Sequence, residues 1–503
     1  MKKLTLTCLA LLSAATMYAQ VEDDWAKKMR ESQQNARMEY EQFKQQAYQD
    51  YDDFRRRANE EYARFMEEAW KVFETQPEEK APEKPKPPQP IIDPDPIVSP
   101  QPVPVPNPIR VPDPIQTPTL PVPDQNTPVK RPQPIEPIKP NPVPPAASQT
   151  VNLYGSTILL HFESDQGYRL NDVSEKSVAA MWKMLSDRSY DNIIAECLEQ
   201  RDKRNLCDWA YLKLTQSVAE KYFGRGTNEA VVMQMYLLTQ SGYQTRIGYA
   251  GNKLAMMIGS KERIYGYKFY QLDGIKFYVL DKSISSQGMN IFDHAFPRET
   301  PLSLQLTQPV FDVKKTAART LTSKRYPDLK VVVETNQNLI DFYNDYPLSS
   351  MWENYSKASM SQVLKSTLYP TLRKSIEGKT ELEAANILLN FVQTAFQYAT
   401  DDEQFGYERP LFPDESFYYP YCDCEDRSIL FSCLVRELMG LEVVLLDYPT
   451  HIATAICFKQ DVSGDYLMLD GKKFIISDPT YINAPVGKCA PKYKSISPKI
   501  VRF

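Results

Sequence analysis

The sequence predicts an α+β protein in which two related globular units follow a long helix and a proline-rich linker. Three observations support this fold class. Residues 20–76 carry an apolar pattern that repeats every 11 residues. The chain has 40 prolines against 17 glycines, and most of the prolines lie within 77–148. Beyond residue 149, a pattern of a helix followed by short strands occurs twice, at 226–281 and at 423–478.

Length, charge and hydropathy limit the classes of protein that fit. A chain of 503 residues is longer than a typical single domain. Its net charge of −5 and its pI near 5.6 argue against a nucleic-acid-binding role, which needs a basic face. No apolar run is long enough to span a bilayer, so we expect no transmembrane segment.

The first 19 residues have the layout of a secretory signal peptide. Two lysines precede an apolar stretch at 4–15, and Met-Tyr-Ala-Gln at 17–20 places the cleavage site after Ala19. Cys8 follows Lys3 too closely to leave room for the apolar region of a lipoprotein signal, so we do not expect lipidation. The sequence therefore predicts an exported protein, periplasmic or secreted.

Export brings the cysteines into an oxidising compartment, where thiols usually pair. Seven cysteines remain beyond the predicted signal peptide, so at least one is unpaired within a monomer. Cys197, Cys207 and Cys489 are candidates for disulfide bonds, with no connectivity readable from the sequence. Cys433 and Cys457 lie at apolar positions of a predicted helix and strand, which favours the core.

Residues 20–76 predict a long amphipathic helix, because their period corresponds to 3.67 residues per turn. About 50 helical residues extend roughly 75 Å. The aromatic stripe has to be covered, either by a second copy in an oligomerising coiled coil or by another part of the same chain. Alternating charge on the opposite face favours the coiled coil and hence a homo-oligomer. The repeat is formed by Ala36, Tyr40, Phe43, Ala47, Tyr51, Phe54, Ala58, Tyr62, Phe65, Ala69 and Phe73.

Residues 77–148 are rich in Pro-X-Pro units, which cannot form a hydrogen-bonded ladder and adopt extended polyproline II conformations. We expect a disordered, semi-rigid spacer that holds the globular part away from the helix.

The globular part is predicted to contain a first unit at 149–285, a connection at 286–328 and a second unit at 329–503. The two units match because Gly-Ile-Lys-Phe-Tyr-Val-Leu-Asp at 274–281 parallels Gly-Lys-Lys-Phe-Ile-Ile-Ser-Asp at 471–478. This internal similarity indicates a tandem duplication.

The duplication also indicates which unit is active. Lys253 of the first unit stands where the second has His451, and the position of Cys424 falls on Thr227 or Asn228. Without a thiol and an imidazole, the first unit cannot run the same chemistry. We expect it to have a structural or substrate-binding role.

The candidate catalytic residues are Cys424, His451 and Asp478. Cys424 precedes a predicted helix, whose free N–H groups and dipole favour a thiolate. Glu425 and Asp426 oppose that charge, so the imidazole of His451 has to supply most of the activation. Asp478, at a strand end, would orient the imidazole. The gaps from cysteine to histidine and from histidine to aspartate are both 27 residues.

Two neighbouring features leave alternatives open. Cys422 is a second candidate for the nucleophile at the same helix start, or for a disulfide partner. The insert at 401–415, rich in acidic and aromatic residues, lies just before the cysteine and either lines a substrate groove or folds as a surface loop. The sequence shows no cluster of residues at metal-ligand spacing, so we expect neither a metal nor a cofactor.

The second unit resembles the transglutaminase-like superfamily, a papain-related core with the order Cys, His, Asp. The resemblance lies in Cys424-Glu-Asp426, Leu434-Val-Arg436, His451 and Asp478-Pro-Thr480, and extends loosely over 335–485. The family commonly has glycine two residues before the nucleophile, where this chain has cysteine. The resemblance implies tandem cysteine-protease-like domains, each a helix cluster packed on an antiparallel sheet.

The function that follows is a secreted cysteine-dependent acyl-transfer enzyme. We expect a peptidase or amidase that acts on a protein or peptide, such as a cell-wall peptide, because bacterial relatives of this core are more often hydrolases. The alternatives are a protein-crosslinking transglutaminase and a non-catalytic scaffold of the cell envelope.

Overall fold

The computed structural model describes residues 2–82, 86–87, 89–94, 131–134, 148–162, 167–186, 190–284, 288–349 and 352–503; side chains of the first helix are described at 28–29 and from residue 32. Most of the predicted linker therefore lies outside the described residues, as do the side chains of the predicted signal peptide. None of the described helices is long and apolar enough to cross a membrane.

The described residues form a mixed α+β structure whose larger sheets are antiparallel, which confirms the predicted class. The α-helices are α1 (Lys2–Met66), α2 (Glu175–Leu185), α3 (Asp191–Lys203), α4 (Asp208–Phe223), α5 (Asn228–Gln240), α6 (Gln337–Asp345), α7 (Glu353–Lys357), α8 (Gln362–Ile376), α9 (Glu381–Ala395), α10 (Asp401–Gln404), α11 (Pro413–Tyr418) and α12 (Cys424–Leu434). The strands are β1 (Lys71–Glu74), β2 (Ile91–Ile92), β3 (Ser148–Leu153), β4 (Ser156–His161), β5 (Thr245–Ala250), β6 (Lys253–Ser260), β7 (Phe269–Leu272), β8 (Ile275–Val279), β9 (Gly288–Phe292), β10 (Arg319–Thr322), β11 (Lys330–Val333), β12 (Glu442–Tyr448), β13 (His451–Cys457), β14 (Tyr466–Leu469), β15 (Lys472–Ser477), β16 (Tyr481–Ile482) and β17 (Lys499–Val501).

Helix α1 ends at Met66, ten residues before the predicted boundary at 76. The indole N–H of Trp70 donates to the carbonyl of Met66 at 3.0 Å and so satisfies one of the free carbonyls at the helix end. The chain then enters β1, which pairs with β9. Phe73 therefore continues the 11-residue spacing in the sequence but lies in a strand.

The last turns of α1 pack on the first unit. Ala58, Tyr62 and Met66 are buried there, and the amide oxygen of Asn59 accepts from the indole N–H of Trp182 at 3.1 Å. The covering of the stripe by the same chain, one of the two predicted alternatives, thus holds for this part of the helix. The stripe before it stays exposed, with Phe43 at 73%.

The first sheet has the order β1-β9-β5-β6-β8-β7 and is antiparallel throughout. Residues 286–328, the predicted connection, contribute strand β9 to this sheet. Strand β10 lies in the same range and pairs with β11. The connection therefore contains two short strands.

The second sheet has the order β14-β15-β13-β12-β17 and is also antiparallel. Helix α12 packs on β12 and β13, and it also contacts α9 and α11. Most buried residues of both units and of the end of α1 belong to one continuous hydrophobic core, and each unit has a smaller second cluster of its own.

The two sheets share an arrangement. In each, a helix precedes four strands of which the second lies between the first and the fourth, giving the orders β5-β6-β8-β7 and β12-β13-β15-β14. Lys253 opens β6 opposite Ala250, and His451 opens β13 opposite Tyr448. Lys253 and His451 thus occupy the same position in the two sheets.

The described parts of 77–148 lie on the globular units. Strand β2 pairs in parallel with β16 of the second unit. On the first unit, Arg201 donates a hydrogen bond to the carbonyl of Pro132 at 2.9 Å. Gly242 has a φ of +91°, and a Cβ there would lie 2.2 Å from the carbonyl oxygen of Gln133. In these stretches the segment is packed on the globular part, contrary to the expectation of a spacer that projects it.

Candidate active site

Cys424 is the first residue of α12, and every residue of this helix is buried. Two polar members of the helix donate to backbone carbonyls around it. Arg427 donates to the carbonyls of Gln393 and Phe396, each at 3.1 Å, and the Ser428 hydroxyl donates to the carbonyl of Ile452 at 3.0 Å. These bonds fix the helix start, with its positive dipole end, against the strand that carries His451.

The imidazole of His451 lies between a carboxylate and a thiol. Its Nε2 is 2.8 Å from Oδ2 of Asp478, and the Cys424 thiol lies close enough to the ring to raise its pKa. Tyr493 stacks on the imidazole with ring centroids 4.9 Å apart and planes 7° from parallel. The structure therefore brings the three predicted residues together, all of them buried.

The pKa of His451 reflects this position. Burial alone would lower it, but the charge and hydrogen bond of Asp478, together with the Cys424 thiol, raise the pKa of His451 to about 10. At neutral pH the imidazole is held in its charged form. A thiolate on Cys424 would then have a cation beside it.

Asp478 is held by its own turn and by α9. Its Oδ1 accepts from the backbone N–H of Thr480 at 2.8 Å and of Tyr481 at 3.1 Å, which leaves Oδ2 for the imidazole. The buried Nε2 of Gln393 donates to the carbonyls of Asp478, Tyr481 and Ala484 at 3.1, 2.7 and 3.0 Å. Gln393 thus fixes the backbone that carries the carboxylate.

A cluster of carboxylates adjoins the thiol. The Cys424 thiol donates to Oε2 of Glu425 at 3.1 Å. Around one ammonium, that of Lys86, lie Asp401 and Asp423 at 2.8 Å, Glu408 at 3.2 Å, and Glu425 in direct contact. The insert at 401–415 supplies two of these acids. The insert, for which the sequence left a groove lining and a surface loop as alternatives, folds against the start of α12.

Charge repulsion in this cluster is visible in the pKa values. Burial, with the charge of Asp401, raises the pKa of Asp423 to about 7, although Lys86 acts against it. Burial also raises the pKa of Asp401. For Lys86, burial lowers the pKa, but the charges of Asp423, Asp401 and Glu408 outweigh it and raise it. The ammonium is therefore firmly charged.

The same acids are spaced as cation ligands. Oxygen atoms of Asp401, Glu408 and Glu425 lie within 4.8 Å of one another, as do those of Asp401, Asp423 and Asp426. No such cluster is visible in the sequence, because the insert and the helix start come together only in the folded chain. Carboxylate oxygens suit hard cations such as Ca²⁺ or Mg²⁺, but here the Lys86 ammonium lies among them.

The other cysteines have different surroundings. Cys422 is buried and hydrogen-bonded to Arg427; burial raises its pKa against the opposing charge of Arg427. His451 contacts Cys424, which favours Cys424 over Cys422 as nucleophile. All seven described cysteines are free thiols, so the disulfide candidates Cys197, Cys207 and Cys489 are not paired. Cys433 is buried as expected, and Cys457 is half-buried.

The first unit fills the corresponding positions with structural contacts. Asn228 opens α5 as Cys424 opens α12, and its side chain bonds both the carbonyl of Asn252 at 3.0 Å and the N–H of Leu254 at 2.9 Å. Asp281 accepts the N–H of Ser283 at 2.8 Å, as Asp478 accepts that of Thr480. The turn is retained where the catalytic side chains are not.

Three residues of the site were not found from the sequence: Lys86, Gln393 and Tyr493. Gln393 had one signal, since it is a polar residue on the apolar face of the predicted helix at 381–397. Lys86 and Tyr493 are unremarkable in sequence. Their roles depend on contacts with distant parts of the chain.

Comparison with family models, with curated proteins and with solved structures found no significant match to this chain.

Proposed function

We propose that the protein is an exported cysteine-dependent acyl-transfer enzyme of transglutaminase-like type, a peptidase or amidase. One observation carries this proposal: one ring nitrogen of a buried imidazole is 2.8 Å from a carboxylate, and a thiol at a helix start lies close enough to raise the pKa of the ring. A nucleophile, a base and a group that orients the base are the parts that such catalysis requires.

In the proposed reaction the thiolate of Cys424 attacks the carbonyl carbon of an amide, forming a C–S bond. Backbone N–H groups at the start of α12 stabilise the oxyanion. The C–N bond then breaks as the His451 imidazolium gives its proton to the leaving amine. Water, deprotonated by His451, attacks the thioester and releases a carboxylic acid and the free thiol. An amine in place of water would give a crosslink.

The matching strand order of the two sheets supports the interpretation of 149–285 as a degenerate copy of the catalytic unit. Asn228 and Lys253 occupy the positions of the cysteine and histidine, and neither can act as a thiol nucleophile or an imidazole base. The proposed role of the first unit is structural, since it also holds the end of α1.

A second candidate function is a non-catalytic scaffold, favoured by one observation. Cys424 has no exposed surface, and its thiol donates to Glu425, an arrangement that stabilises the neutral thiol. In this alternative the three residues only hold the fold together.

Alkylation by iodoacetamide, mapped by mass spectrometry, separates the two candidates. It is applied to the full chain and to its Lys86→Met variant, in which the segment beside the thiol loses its anchoring ion pairs and the reagent gains access to Cys424. We expect Cys424 to react in the variant, and a His451→Gln change to slow that reaction at least about tenfold, because an imidazole partner activates a thiol.

The half-buried Cys457 is an internal reference for reagent quality, and reaction of the buried Cys433 reports a variant that has unfolded. A Cys424 that stays unreactive in both chains while Cys457 reacts would overturn the catalytic proposal. The same holds for a reaction at Cys424 that does not depend on His451.

A further inference from the structure

Residues 86–94 are called here the strap; its described parts, 86–87 and 89–94, lie next to the thiol and at the turn beyond Asp478, respectively. At the first end, the side chain of Lys86 is only 4% exposed and contacts four carboxylates. Glu425 joins the two features, since it contacts both the Lys86 ammonium and the Cys424 thiol. The strap thus begins next to the candidate nucleophile.

The other end of the strap is fixed by backbone and side-chain contacts. Strand β2 pairs in parallel with β16, and the N–H of Asp93 donates to the carbonyl of Ile482 at 2.9 Å. The Asp93 carboxylate pairs with the Lys488 ammonium at 2.7 Å. Strand β16 starts three residues after Asp478. The strap therefore spans the site from cysteine to aspartate.

Between its ends the strap is held through its main chain. The Tyr398 hydroxyl donates to the carbonyl of Pro87 at 2.7 Å. Prolines at 87, 88 and 90 favour an extended conformation. Main-chain bonds to a strand, combined with one side chain in a specific pocket, are the way in which proteins bind extended peptides.

The pocket around Lys86 holds more negative charge than one ammonium neutralises. Four acids face it, and Oδ1 of the fully buried Asp423 has no hydrogen-bond partner among the described residues. Buried carboxylates without a cation are strongly unfavourable. The pocket therefore selects for a cationic side chain.

We propose that the strap occupies the substrate position of this site, and that the substrate is a peptide whose primary ammonium side chain replaces Lys86 in the acidic pocket. The choice of substrate rests on the proposed function, whereas binding does not. Because the strap is part of the chain, its local concentration is high, and a substrate has to compete with it. The substrate position is therefore occupied until the strap leaves it.

The binding test uses a fluorescent synthetic peptide with the sequence of 86–93, Lys-Pro-Pro-Gln-Pro-Ile-Ile-Asp, and measures fluorescence anisotropy. The full chain should bind it weakly, and a Lys86→Met/Asp93→Ala variant should bind it at least about tenfold more tightly, because both side-chain contacts of the internal strap are removed. A peptide with norleucine in place of lysine should lose at least about tenfold in affinity for that variant. Lys80→Met, at an exposed lysine that precedes the strap, is the matched control.

Thermal unfolding identifies variants that fail to fold. Asp93→Ala alone leaves Lys86 in its pocket and releases only the other end of the strap; this variant and the double variant are called here the opened chains. Equal peptide binding by wild type and both opened chains, if they are folded, would overturn the proposal. Equal affinity of the double variant for the lysine and the norleucine peptides would also overturn it. Binding of Ca²⁺ that displaces the lysine peptide would assign the pocket to a metal instead of an ammonium.

The strap and the catalytic proposal fail in different ways. Tight, lysine-dependent binding by an opened chain in which Cys424 does not react would leave the strap proposal intact and remove the enzyme. Reaction of Cys424 at the same rate in closed and opened chains would remove the strap proposal and leave the enzyme.

Discussion

At the scale of single residues, the site combines groups with opposed effects on the thiol. His451 and the start of α12 favour a thiolate on Cys424, whereas the hydrogen bond that the thiol donates to Glu425 favours the protonated form. Lys86 contacts Glu425 and offsets its charge. The state of the thiol therefore depends on a lysine that belongs to the segment preceding both units.

The charged imidazole predicts a pH-dependent contribution to stability. The pKa of His451 is raised from 6.5 to about 10 in the folded protein, so its stabilising effect is fully present below about 6.5 and lost as the pH rises through about 10. Replacing His451 by glutamine, which can still donate to Asp478, should therefore destabilise the protein more at pH 6 than at pH 10. In denaturant unfolding, we expect the loss of unfolding free energy caused by His451→Gln to be about 3 kcal/mol larger at pH 6 than at pH 10.

The matched control is His294→Gln, because that half-buried ring stacks on Phe65 and has its own aromatic contact to lose. A difference between wild type and His451→Gln that stays constant from pH 6 to pH 10 would show that the imidazole is not held in its charged form.

Gln393 is expected to be a positioning residue for Asp478. In Gln393→Leu three buried carbonyls lose their shared donor, which should cost about 2–4 kcal/mol in denaturant unfolding. Asn386→Leu on the same helix removes the acceptor of one backbone bond, that of Val486 at 2.9 Å, and should cost less. Similar costs for both variants would contradict the assigned role. Because Asp478 orients the imidazole, alkylation of Cys424 should also be slower in Gln393→Leu.

At the scale of secondary-structure elements, α1 has two parts with different surroundings. The part before residue 52 carries exposed aromatic side chains, and the part from there to Met66 is packed on the first unit through Tyr62, which contacts the rings of Trp182 and Phe292. The 11-residue repeat runs through both parts without distinguishing them. Only the position of the first unit decides which turns are covered.

This division predicts unequal effects of the same substitution along one helix. Tyr62→Ala should lower the free energy of unfolding by about 3 kcal/mol, because it leaves a cavity among aromatic rings. Tyr40→Ala, at a side chain that is 62% exposed, should change it by no more than about 0.5 kcal/mol. Chemical denaturation of both variants measures this, and equal losses would show that the exposed part is also covered in solution.

At the scale of the whole molecule, the exposed aromatic stripe of α1 predicts self-association with a second copy. Tyr40 and Phe43 lie on the face that repeats every 11 residues, and apolar stripes of this kind pack on partner helices. A Phe43→Glu chain should have a lower molar mass than wild type in light scattering after size exclusion. Gln45→Glu, on the opposite face, is the matched control. Wild type that is monomeric at all concentrations would overturn this expectation.

The whole molecule also shows how far local patterns extend. The α+β class, the chain order of the three candidate site residues and the paired positions of Lys253 and His451 were accessible from sequence, because helix and strand periods and spacings are local properties. The end of α1 was missed, since the spacing continued through Phe73 while pairing with β9 turned that residue into a strand. Strand β9 itself was missed because five residues are too few for their alternation to stand out in the sequence.

The sequence by itself determined that a cysteine opens a helix, a histidine opens a strand and an aspartate closes another, since each is written in neighbouring residues. The tertiary structure alone decided that Lys86 lies against Asp423, a residue 337 positions away. It also decided that the acids of 401–415 meet the start of α12. Such contacts leave no local signal, because the partner of a buried charge is set by how the chain folds back on itself.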